Sequence, residues 1–134
     1  MIRTKSEQLT STAQNLTANW VNLGSQIASD GAKRIGWFGE IDINDSNDPR
    51  VRLLGSTPFE ADTYVVPATH TLYGAAAASA GYYEISSDAD QDIFLCWDLN
   101  DMFEKVQFQV QAGTVGVSAG QIDESYYKLS YMEG

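Results

Sequence analysis

The sequence predicts an all-β chain: an antiparallel β-sandwich of jelly-roll type in a single domain, with a short amino-terminal arm. Three observations predict it. Apolar and polar residues alternate in several short runs, turn-forming residues separate the runs, and no helical spacers stand between them in the middle and end of the chain. A parallel sheet would need crossover connections, usually helices, between its strands. With 134 residues, 43% of them hydrophobic and 11% aromatic, the chain is long enough to bury a core of its own without staples.

The elements follow in order. Residues 1–8 are mostly polar and read as an arm ahead of a sandwich domain spanning residues 9–134. From Leu9 to Ile27 two readings compete. Leu9, Ala13, Leu16, Trp20, Leu23 and Ile27 recur at steps of four and three, the spacing of an amphipathic helix. Yet Thr10, Ser11, Thr12, Asn15, Thr17, Asn19, Val21, Asn22 and Gly24 are poor helix formers, which favours a strand running into a loop. In Lys33 to Asp45, Ile35, Trp37, Gly39, Ile41 and Ile43 share one face, and Glu40, Asp42 and Asn44 share the other, where Phe38 breaks the polar pattern. The turn-rich run 44–49 then reads as a hairpin-like connection into a strand over Val51 to Ser56.

The run from Gly74 to Gly81 is bounded by glycines and too short for a stable helix, so it reads as a flexible loop or a small-residue contact strip. Asp92 to Asp98 places Ile93, Leu95 and Trp97 on one side and Phe94 and Cys96 on the other, a strand apolar on both faces and therefore central. Val106 to Gln111 alternates cleanly, with Val106, Phe108 and Val110 inward and glutamines outward. After a glycine-rich link, Tyr127, Leu129 and Tyr131 share a face of the last strand.

Charge narrows the partners. The chain has 18 acidic and 8 basic residues, a net charge of -10, so nucleic acid and anionic membrane surfaces are disfavoured partners. No run approaches the ~20 apolar residues of a membrane span. The first residues lack the apolar run of a secretory signal, so assembly in a host cytoplasm is the expectation, and the glycosylation patterns at Asn15 and Asn44 read as incidental. A lone cysteine, Cys96, excludes an intramolecular disulfide and any zinc site that needs two cysteines.

Catalytic chemistry finds little support. His70 is the sole histidine, reads as a loop residue, and has neither a nucleophile elbow nor a reactive-cysteine context to serve. Cys96 lies in an apolar strand, where an inert thiol is the expectation. The runs Asp42 to Asp48 and Asp88 to Asp92 offer oxygens at alternate positions as calcium loops do, but Asn47 and Ile93 stand where glycine belongs, and Leu53 and Leu99 where glutamate belongs. The chain is therefore expected to be no enzyme, with no catalytic, cofactor-binding or metal-binding residue assigned and no cofactor. Among the aromatics, Trp37 and Trp97 read as core, while Tyr82, Tyr83 and Tyr126 read as candidate exposed contacts.

The stretch Val106 to Gln111, followed by Gly113-Thr114-Val115-Gly116 and by Ile122-Asp123-Glu124-Ser125-Tyr126-Tyr127, resembles the ending of small β-sandwich structural proteins of tailed-bacteriophage virions. Ser125 stands where that group has alanine or another small residue. The early stretch Gln14 to Gly24, with Arg34 to Phe38 and the Asp-Asn turn, is similar to the same group's first half. The likeness covers about half the chain and carries turn and strand chemistry rather than a catalytic signature.

It implies a virion component: a capsid decoration or cement protein on the outside of the head, with head-fibre, collar or tail attachment as other stations. Its partner would be the major capsid protein or another virion protein, with the chain itself a dimer or trimer. The likeness carries over no functional residues, and it favours the strand reading of Leu9 to Ile27. The competing class is a carbohydrate-binding module using exposed tyrosines, with calcium at the Asp-rich turns. Up to Arg34, the basic Arg3, Lys5, Lys33 and Arg34 outnumber Glu7 and Asp30, so the amino-terminal side is expected to face the capsid and the acidic remainder solvent.

Overall fold

Alternation of inward apolar and outward polar residues builds two stacked antiparallel sheets. A computed structural model describes residues 2–42, 49–58, 64–68, 70–73, 76–79, 81–85, 91–100, 102–113 and 120–132. In chain order the described strands are β1 (Ile2–Thr10), β2 (Gln14–Asn15), β3 (Val21–Ala28), β4 (Ala32–Asp42), β5 (Arg50–Ser56), β6 (Tyr64–Val65), β7 (His70–Tyr73), β8 (Ala76–Ser79), β9 (Tyr82–Ile85), β10 (Gln91–Asp98), β11 (Lys105–Gln111) and β12 (Gln121–Met132).

The first sheet runs β1-β12-β4-β10-β7, with β2 beside β12, and the second runs β3-β11-β5-β9-β8, with β6 beside β5. The pairing is nested: β1 with β12, β3 with β11, β4 with β10 and β5 with β9, all antiparallel. From β3 to β5 and again from β9 to β12 the chain changes sheet at every connection. This is a jelly roll, the all-β sandwich that the alternation predicts.

Between the sheets Trp97 stands edge-on to Tyr83, with ring centroids 5.0 Å apart, and to Phe108 at 5.5 Å. Trp37, Leu23, Ile35, Leu53, Ile93 and Leu95 close the core around them. The Tyr83 hydroxyl donates to the Cys96 carbonyl at 2.6 Å, tying the second sheet to the first. Ser29 Oγ donates to the Phe103 carbonyl at 2.8 Å, fixing the loop that follows β10.

Several expectations change. Residues 2–8 are no free arm: β1 is hydrogen-bonded to β12 from Ile2 onward, because the long last strand offers it an edge. Leu9 to Ile27 holds strands and no helix, the reading its poor helix formers favoured. The four-residue step from Leu23 to Ile27 has a different cause: these residues face Phe108 and Val106, which lie only two apart, so β3 bulges. Gly24 supplies the bulge's positive φ of 72°, and Gln107 Nε2 donates to the carbonyls of Leu23 (3.4 Å) and Gly24 (3.1 Å). Gln107 is consequently buried, not an outward polar residue.

β4 and β5 do not pair as a hairpin, since they lie in opposite sheets; residues 43–48 between them lie outside the described residues. The alanine run is partly strand: β8 pairs with β9 across Gly81, whose φ is +95°. His70 opens a strand at the edge of the first sheet, opposite Cys96, instead of sitting in a loop.

Candidate docking face

The outer surface of the first sheet is built by register. Phe38 on β4 lies opposite Tyr126 on β12 and Phe94 on β10. One row along, Glu40 lies opposite Glu124 and Asp92. A row of three aromatics thus crosses three neighbouring strands beside a row of three carboxylates. Phe38 and Phe94 stack nearly parallel at 4.0 Å. Phe94 is seated over Gly36, where an added Cβ would meet its ring at 2.7 Å. Beneath, the inward Trp37 ring folds over Gly39 so closely that a Cβ there would meet it at 2.2 Å.

Together these residues line an open hollow of about 320 Å³, with Phe38, Phe94 and Tyr126 along one side and Glu40, Asp92 and Glu124 along the other. Tyr126 is 43% exposed. Gln8 Nε2 reaches Glu124 at 3.4 Å, but none of these carboxylates has an ion-pair partner among the described residues.

The outer surface of the second sheet is built the same way and ends differently. Asn22, Gln109 and Arg52 form one row, and Gln111, Arg50 and Glu84 the next. Arg52 donates through Nε and Nη2 to Gln109 Oε1 at 2.9 and 2.7 Å, and Gln109 Nε2 donates to Asn22 Oδ1 at 2.9 Å. Arg50 Nε donates to Glu84 Oε2 at 3.1 Å. The Arg52 guanidinium lies 4.2 Å from the centre of the Trp20 ring, and that of Arg50 lies 5.0 Å from the Tyr82 ring. Burial against its neighbours lowers the Arg52 pKa from its ordinary value.

The residues singled out in the sequence do not converge on either surface. Trp37, Trp97 and Tyr83 are core. Tyr82 is covered by Arg50, and Tyr126 stands on the opposite side of the sandwich, so the candidate tyrosines form no common platform. Cys96 is buried on the outer side of β10, and burial pushes its thiol pKa up, as suits an inert thiol. The side chain of His70 lies outside the described residues, as do residues 43–48 and 88–90 of the two Asp-rich runs. Two bases of the first quarter are paired with acids: Lys5 Nζ lies 3.3 Å from Glu7, and Arg34 Nε lies 3.1 Å from Asp98; the Arg3 side chain lies outside the described residues.

What the sequence reading missed is the pairing of acid and aromatic two residues apart: Phe38 with Glu40, Asp92 with Phe94, Glu124 with Tyr126. The order is reversed in β4, as an antiparallel register requires if like is to meet like. That recurrence was the available signal.

No protein-family model matches the chain, and no characterised protein matches it in sequence. Solved structures with related shape include the SPBc2 prophage-derived protein YomS (TM-score 0.47, 11% identity, 97% of this chain and 95% of that one). FlhE is similar to the same degree (TM-score 0.46, 11% identity, 99% and 97% covered). A protein of Bacillus endospore appendages, described as disulfide-linked pili, is looser (TM-score 0.40, 10% identity, 99% and 89% covered).

Proposed function

We propose that the chain is a non-enzymatic structural protein of a phage particle, a capsid decoration protein that binds the outside of the head through protein contacts made by the outer face of its first sheet. The observation that carries this reading is the open row Tyr126, Phe38 and Phe94. An exposed tyrosine beside two half-buried phenylalanines on an open sheet face, rimmed by polar groups, has the composition of a protein interface rather than of a closed ligand pocket. The likeness of the strand and turn motifs to phage structural modules supplies the setting.

Co-sedimentation tests it. The purified chain, mixed with particles of its phage, is expected to pellet with them at a copy number proportional to the major capsid protein. A stoichiometry of a few per particle would move it to the neck or tail, and its absence from the pellet would overturn the reading.

A further inference from the structure

The same face says what chemistry its partner brings, an inference that rests on the docking role just proposed. Glu40 lies directly opposite both Glu124 and Asp92, and like charges at opposed positions of a sheet destabilise it. Among the described residues no cation pairs with them; Lys5, Arg34 and Arg50 pair with Glu7, Asp98 and Glu84. The carboxylates are spread along a row, and no set of three acidic, histidine or cysteine side chains among the described residues could hold a metal ion. A second copy of this chain, itself of net charge -10, is a poor complement to this acidic row, so a dimer or trimer would form through another surface.

We infer that the face receives a basic segment of a partner protein, a lysine or arginine next to an apolar side chain. The apolar group covers the rings of Phe38, Phe94 and Tyr126, and the cation sits along Glu40, Asp92 and Glu124, within reach of the aromatic faces.

The test uses the whole isotope-labelled chain and two synthetic pentapeptides, one with leucine between two lysines and one with leucine between two glutamates, followed by amide chemical shifts. The lysine peptide is expected to shift the amides of Gly39, Glu40 and Asp92, and to bind more weakly at about 1 M than at about 0.01 M salt, where screening lengths are roughly 3 and 30 Å. A combined Glu40→Gln, Asp92→Asn, Glu124→Gln variant, which relieves repulsion and should fold, is expected to bind it about tenfold more weakly, through loss of the exposed ion pairs to its two lysines.

Equal binding of the glutamate peptide, shifts confined to the Arg52 face, or self-association through the Glu40 row would each overturn the inference. Particles that bind the neutralised variant as well as the native chain would sink this inference and leave the docking role standing. Peptide binding without particle binding would do the reverse.

Discussion

The two outer faces of the sandwich are made by the same device, side chains aligned across three strands, yet one is closed and the other open. On the second sheet Arg52 covers Trp20, Arg50 covers Tyr82, and glutamines link the members of each row by hydrogen bonds. Its charges and rings satisfy one another. On the first sheet the aromatics lie beside carboxylates that cannot pair among themselves, and Tyr126 projects into solvent. The cations of the first sheet's outer face, Arg34 and Lys128, stand further along the strands, beyond the aromatic row, so that the Glu40 row is left without one.

Breaking this contrast is most costly underneath the open face. Gly39→Ala forces a methyl into the Trp37 ring, and overpacking of this kind costs about 1–3 kcal/mol, to be read from urea unfolding. On the closed face Arg52→Ala removes the ring contact and two hydrogen bonds, and a loss of about 1–2 kcal/mol is expected, with Arg52→Lys restoring only part of it.

The edge that frames the open face responds to pH. Tyr127 donates to Glu7 Oε2 at 2.7 Å, joining β1 to β12. Burial, together with the Glu7 carboxylate, pushes the Tyr127 pKa from 10.0 to about 12. The stability this supplies is complete below pH 10.0 and is lost as the pH rises to about 12. Glu7, held below its ordinary 4.5 by the Tyr127 hydroxyl and by Lys5, supplies stability above that value that is lost as the solution is acidified through its lowered pKa. Tyr127→Phe is expected to flatten the alkaline loss in unfolding midpoints measured across that range.

The smallest change is expected on the open face itself. Glu40→Gln removes a charge opposed by two others and should leave stability level or raise it by about 0.2–1 kcal/mol.

The fold was legible wherever the period of two ran undisturbed, as in Val106 to Val110 and Ile35 to Ile41. It was illegible where the period broke. The bulge at Gly24 imitated a helical step between Leu23 and Ile27, and the polar residues of β1 hid a strand whose stability comes from pairing with β12, not from its own burial. The open face stayed hidden for a related reason. Phe38 alone looked like an irregularity, because its partners Phe94 and Tyr126 arrive from residues 56 and 88 positions further on, and only register brings them together. Tyr82 and Tyr83 were prominent as neighbours in sequence, but successive strand residues point to opposite faces, so one was covered by arginine and the other entered the core.

The contrast between the faces is tested most directly by particle binding of two charge variants side by side. The account predicts that Glu40→Lys with Asp92→Lys loses binding to the phage particle at least tenfold, while Arg52→Ala binds as the native chain does. Retained binding by the lysine variant together with loss in Arg52→Ala would place the interface on the second sheet and contradict it.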